Sequence, residues 1–214
     1  MNKKVLRNLS YGVYVISTWD TGRPTGCIAN SAMQITSSPA TIAVSINRDN
    51  YTHDCIKNTG KFAISILSET SDPAIIGTFG FQSGKDVNKF ESVKFDVKGY
   101  LPVVTDSTGY IVCDVIDTME TATHTVFLGQ MYEGDTFEAA APMTYAYYHE
   151  VIKGKSPKNA PTYIAEEETV SADKETWVCS VCKYVYDGDV PFSELPDSYV
   201  CPICKQGKHR FNKQ

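Results

Sequence analysis

The chain has no apolar run near the about 18 residues that a membrane-crossing helix requires. Its opening, Met1-Asn-Lys-Lys-Val-Leu-Arg-Asn8, has no apolar core of the kind a secretion signal carries, so a cytoplasmic location is expected. It also has no basic excess: 20 Lys and Arg against 25 Asp and Glu leave a net charge of −5, which offers no general field to nucleic acid. There is no internal repeat and no glycine-rich dinucleotide fingerprint between a strand and a helix. Up to residue 178 cysteine occurs only at Cys27, Cys55 and Cys113, scattered and odd in number, which fits reduced packing thiols better than disulfides.

Four further cysteines fall in the tail as two tight pairs, Cys179-Ser-Val-Cys182 and Cys201-Pro-Ile-Cys204. Each pair forms a knuckle that aims two thiolates at one point, and two knuckles complete a tetrahedral tetrathiolate site. Soft sulfur suits both iron and zinc, so spacing alone leaves the metal open.

With 42% hydrophobic residues in 214, the composition supports one packed medium domain and a small second one. Residues 165–175 are acidic and poor in large apolar groups, which reads as a linker between residues 1–164 and 176–214. The tail is too short to fold on core burial alone, and a bound metal supplies the missing stability.

Upstream, Val13–Ser17, Thr41–Ile46, Lys61–Leu67, Tyr110–Ile116 and His124–Leu128 have the length and β-branched content of strands. Thr52–Asn58 and Pro73–Phe79 read as short helices, capped by Asn50 and Asp72. Many short strands with few helices predict a mainly β, antiparallel barrel or sandwich.

Three segments carry polar chemistry. Gly22–Gln34 is rich in small polar residues that can bond a heteroaromatic edge, or can form a plain polar hairpin. Ser45–His53 runs from a buried strand into a helix start, where free N–H groups, Thr52 and Arg48 could seat a phosphate or simply cap the helix. Phe79–Phe90 mixes aromatics, glycine and lysine in a loop.

The tail, from Trp177-Val-Cys179 through Tyr184 and Tyr186, Glu194-Leu-Pro196 and Tyr199 to Phe211, resembles rubredoxin. That likeness implies a one-electron iron site on Cys179, Cys182, Cys201 and Cys204, with a structural zinc ribbon as the alternative. The stretch between the knuckles is shorter than usual, and Lys183 and Lys205 stand where the family has glycine. A lysine held at positive φ there would cost about 1–2 kcal/mol.

Residues 1–164, with the later segments Thr123–Gly129 and Pro142–Tyr163, are similar to the flavin-reductase family, whose fold is an FMN-binding Greek-key split barrel. The joint likeness is to the high-molecular-weight rubredoxins, a fusion of the two. It implies that Thr25, Gly26, Cys27, Asn30 and Ser31 lie along the isoalloxazine ring. Ser45, Asn47, Asn50, Tyr51 and Thr52 would hold the ribityl phosphate, and Lys89 and Phe90 would close over the flavin. His124 would stand on the nicotinamide side, although a lone histidine at a strand start can equally be structural. It further implies a homodimer, NADH or NADPH as substrate, and a redox partner such as a flavodiiron protein. Because a nicotinamide delivers two electrons together and a single iron accepts one, FMN between them would act as the converter.

Overall fold

Seven strands of the larger domain make one antiparallel sheet: β1 (Tyr14–Asp20), β2 (Arg23–Ala29), β3 (Ala32–Ser37), β4 (Ala40–Asn47), β5 (Lys61–Ile66), β8 (Gly109–Glu120) and β9 (His124–Thr136). The structure is a computed structural model and describes residues 3–137, 140–152, 154, 176–182, 184–186, 188 and 190–213. The strand order is β2-β1-β5-β8-β9-β4-β3. Its two edge strands, β2 and β3, are consecutive in sequence and joined only by Asn30 and Ser31. Such a connection spans no more than about 10 Å. The sheet must therefore curl until its edges meet, which makes a barrel split between β2 and β3. The neighbours β1 with β5 and β4 with β9 are remote in sequence, as Greek-key winding requires.

Side chains alternate across β1. Ile16 points into the barrel, where it meets Val44, Phe62, Ile64 and Phe127, while Val15 points outward beneath two helices. Burying each of these side chains is worth about 1.5–3 kcal/mol. Helix α1 (Tyr51–Thr59) turns Ile56 into the barrel cluster, and α2 (Pro73–Phe81) and α3 (Tyr145–Glu150) form the outer layer. Asn50 caps α1 by accepting from the Thr52 N–H, and Gly60, in the left-handed region at φ 65, ends it. Asp72 caps α2 in the same way, accepting from Ala74 N with Pro73 in the first turn. A second apolar layer of Val15, Leu67, Ile75, Ile76, Phe79, Phe90 and Met143 packs α2 and α3 on the sheet. The hairpin of β6 (Phe95–Lys98) and β7 (Leu101–Val104) covers a third face through Leu101 and Val103.

The tail forms its own small core. β10 (Trp177–Cys179) pairs with β11 (Phe211–Lys213), and between them the four cysteines pack with Tyr184, Phe192, Ile203 and Phe211. Phe192 stacks on Trp177 with ring centroids 4.6 Å apart and touches Tyr186, Tyr199 and Phe211 as well, a central role its sequence position does not advertise. Phe81, at the end of α2, and Ile152, just after α3, pack against both this cluster and the layer under the helices.

The expected strands and helices are all present; β5 stops one residue short at Ile66 and β1 starts one residue late at Tyr14, while β8 and β9 run well past their apolar cores. Gly22–Gln34, which reads as a polar hairpin and loop, is the returning arm β2 of the β1–β2 hairpin, whose turn is Thr21 and Gly22, followed by Asn30, Ser31 and the start of β3. Its small residues form strand because the ladder to β1 pairs Thr18 with Thr25, Ser17 with Gly26 and Ile16 with Cys27, supplying main-chain bonds that periodicity does not reveal. The acidic linker and Lys183 lie outside the described residues. Lys205 adopts φ 57, the strained left-handed conformation expected where the family has glycine.

Candidate functional site

Around the split, segments distant in sequence come together. Thr25, Gly26 and Cys27 lie on β2, and the Cys27 sulfur reaches the side chains of Thr52 and Asn50 at the start of α1. The Ser45 N–H donates to the Ser31 carbonyl at 2.9 Å, tying β4 to the β2–β3 connection. Asn47 stands opposite His124 in the β4–β9 ladder. Asn47 Oδ1 accepts from the Asp49 N–H at 2.8 Å and shapes the turn that presents Asn50, Tyr51 and Thr52. Ser31 Oγ donates to Asn30 Oδ1 at 3.1 Å within the connection.

Several polar atoms at this face are buried without a partner among the described residues: Thr25 Oγ1, Thr52 Oγ1 and His124 Nε2. The neighbour of the Thr52 hydroxyl is the Cys27 thiol, which gives it no bond of good geometry. Orphaned hydroxyls of this kind cost about 1–3 kcal/mol each, so their clustering marks a surface shaped for a polar ligand. These residues fit a flavin. Burial pushes the Cys27 thiol up, which keeps it protonated and argues against a thiolate role. Burial, helped by the Arg48 charge, lowers the His124 imidazole and leaves it neutral near pH 7, with Nδ1 bonded to Thr123 Oγ1 at 2.8 Å.

Arg23 belongs to this surface although no sequence motif marks it. Its Nη2 pairs with Asp20 at 2.8 Å and donates to the Gly84 carbonyl at 2.8 Å, fastening the loop after α2 to the β1–β2 hairpin. Asp20 also bonds the Tyr51 hydroxyl, whose proton it holds more firmly. Gly84 lies so near Thr25 that a β-carbon there would stand 2.4 Å from the Thr25 hydroxyl. Lys89 and Phe90 are buried and face inward. Lys89 Nζ donates to the carbonyls of Gly26 at 2.8 Å and Phe79 at 3.1 Å, and Phe90 meets Phe79 and Phe95 edge to face.

In the tail, the sulfurs of Cys179, Cys182, Cys201 and Cys204 all lie within 4.8 Å of one another, and every one of the residues is buried. Cys179 and Cys204 approach to 3.6 Å and Cys182 and Cys201 to 3.4 Å. A tetrahedral ion with metal–sulfur bonds of about 2.3 Å sets its sulfurs about 3.8 Å apart, so the four thiols fit one metal. Backbone amides supplement them: Ile203 and Cys204 donate to Cys201, Tyr184 to Cys182 and Gln206 to Cys204. Hydrogen bonds from Cys182 and Cys204 lower the Cys201 thiol, so the first proton the cluster gives up is shared among these sulfurs and leaves a thiolate at Cys201.

Residues 6–155 match the model of the flavin reductase like domain. The chain belongs to the flavin reductase-like family. Residues 177–212 match the rubrerythrin, rubredoxin-like domain, so a flavin reductase-like domain is fused to a rubredoxin-like one. High molecular weight rubredoxin of Moorella thermoacetica is 38% identical over the full length of both chains. Ferric-chelate reductase (NAD(P)H) of Archaeoglobus fulgidus is 35% identical, covering 76% of this chain and 98% of its own. Among solved structures, flavin reductase PheA2 superposes with a TM-score of 0.58 at 28% identity, over 67% of this chain and 93% of that one. This flavin reductase-like chain is an oxidoreductase equipped for flavin and tetrathiolate iron chemistry.

Proposed function

We propose that the protein takes electrons from NADH or NADPH, passes them through FMN at the barrel split to an iron held by Cys179, Cys182, Cys201 and Cys204, and delivers them singly to a partner such as a flavodiiron protein. The observation that carries this reading is the presence in one chain of an orphaned polar surface at the split and a closed set of four buried thiols. When bound, FMN accepts a hydride and releases electrons one at a time, and tetrathiolate iron takes one.

The chain's own residues bind and orient. Thr25 and Thr52 offer hydroxyls to the flavin, while Asn30, Ser31, Ser45, Asn47, Asn50 and Tyr51 frame the same surface. Gly26 keeps β2 thin at the ring edge, with Lys89 bonded behind it. Neutral His124 has Nε2 free of any described protein partner, which supports a role in orienting a nicotinamide carboxamide. No residue needs to act as acid or base, because hydride moves between cofactor and substrate. Exposed Met33, Ile35, Ile116 and Met119 on β3 and β8 support a homodimer. Free, buried Cys27, Cys55 and Cys113 suit a reducing cytoplasm. Among the described residues no helix is long and apolar enough to cross a membrane.

The test is an anaerobic NADH titration of the purified protein, following the flavin and ferric-thiolate bands separately. Bleaching of both is expected. Bleaching of the flavin band alone, with zinc in the tail, would replace this reading by a flavin reductase carrying a structural zinc ribbon.

A further inference from the structure

The metal knuckle does not stand clear of the flavin domain. A β-carbon on Gly77, in the middle of α2, would lie 2.5 Å from the Cys204 Cβ and 3.1 Å from its Cα. Any side chain at position 77 therefore collides with a ligand cysteine, and the colliding atoms lie on or next to the backbone, where nothing can rotate away. Phe81 and Ile152 pad the contact from the same side. Ile203 and Cys204 are only 2% and 6% exposed. Glycine is also the poorest ordinary helix former, so its place inside α2 calls for a reason, and the close approach is one.

The opposite side of α2 leads to the barrel split. The Phe79 ring comes within 3.2 Å of where a Gly26 β-carbon would be. The Lys89 ammonium links the Gly26 and Phe79 carbonyls, so β2 and α2 are joined by hydrogen bonds as well as packing. One helix, about 10–12 Å across, thus lies between the proposed flavin edge and a metal ligand.

We propose that Gly77 is the seat at which the rubredoxin-like domain docks to receive electrons, with Cys204 pressed into a notch that only glycine leaves open. The proposal rests on the flavin-to-iron transfer argued above and assigns it a route within one chain. One electron passes from the two-electron-reduced flavin to the ferric tetrathiolate, which becomes ferrous, and the flavin's second electron follows only after the redox partner has reoxidised that iron. No bond is made or broken at the metal, and the protons of the reduced flavin pass to water. While seated, Cys204 is hidden from an outside acceptor.

The test uses the full chain carrying flavin and iron, mixed anaerobically with NADH in a stopped-flow instrument with both bands recorded. Transfer of one electron slows steeply as its two centres are held further apart, and Gly77→Leu lifts the knuckle out of its notch by a whole side chain, so iron bleaching is expected to slow about tenfold, and less in Gly77→Ala. Flavin bleaching should keep its parent rate. Gly80→Ala is the control, since its added β-carbon meets Ile28 no closer than 3.6 Å and both rates should survive. Hydrogen–deuterium exchange of the zinc-loaded chain gives a readout without turnover. Exchange across residues 201–206 should rise in Gly77→Leu and not in Gly80→Ala.

Unslowed iron bleaching in Gly77→Leu overturns the seat whatever the exchange shows, and slowing without a rise in exchange overturns it too. If NADH bleaches neither band of the parent chain, the nicotinamide reading alone has failed. Electrons then enter by light-driven reduction of the bound flavin, and the same variants decide the seat.

Discussion

Lys89 offers a sharp test of the packing beneath β2. Only 3% exposed, it lies close to the Phe79 ring and bonds two carbonyls, with no carboxylate beside it. Burial therefore pushes its ammonium down from 10.5 to about 8. Above about pH 8 the folded chain has lost this proton, while the unfolded chain holds it to near 10.5. Unfolding then takes up a proton, so stability rises with pH across that interval, and below about 8 the full cost of the buried charge is felt. At about 1.4 kcal/mol for each pH unit, the rise amounts to about 3 kcal/mol. Lys89→Met keeps the apolar stem and removes the titration. The carbonyls of Gly26 and Phe79 lose a donor in that variant, at about 1–3 kcal/mol each, but this offset is the same at every pH. Urea unfolding of both proteins from about pH 7 to about pH 10.5 reads the difference directly. The parent should gain about 3 kcal/mol on the variant between pH 8 and 10.5. Parallel curves would show that the ammonium is not desolvated, and the argument from burial would fail.

Other substitutions probe the two sites. Thr52→Val removes a buried hydroxyl with no good protein partner, so the cofactor-free protein should be stabilised by about 1 kcal/mol while flavin binding weakens about tenfold. Calorimetric titration with FMN and thermal unfolding measure the two effects, and a loss of both together would mean the hydroxyl serves the fold alone. Lys205→Gly relieves a residue at φ 57 and should stabilise the metal-loaded tail by about 1 kcal/mol, seen as slower release of metal to a chelator. Cys182→Ser removes one of four thiolates, and should erase the ferric-thiolate band and partner reduction while flavin reduction by NADH persists. Partner reduction at full rate in that variant would show that electrons bypass the tail.

Much of this protein is legible in its residues. Knuckle spacing selects Cys179, Cys182, Cys201 and Cys204 because each CxxC turn is local, and only their meeting requires the fold. Strands β1, β4 and β5 announce themselves through β-branched runs, and α1 and α2 through Asn50 and Asp72 at their caps. β2 is silent by the same measure, since Arg23-Pro-Thr-Gly-Cys27 contains a proline and a glycine and only one β-branched residue, and it is held as strand by its ladder to β1.

What only the tertiary structure decides is proximity. That β2 and β3 are the two edges of one curled sheet, that Ser31 meets Ser45 and Asn47 meets His124, and that Arg23 holds the loop at Gly84 all follow from pairings between distant segments. No periodicity encodes such contacts, because their free energy comes from closing the barrel as a whole. Gly77 is the clearest instance: in the sequence it is a weak point in a helix, and in the fold it is the space that Cys204 occupies. Composition and spacing therefore determined which chemistries the chain can hold. The distance between them was set by packing, which alone brings α2 between the split and the metal knuckle.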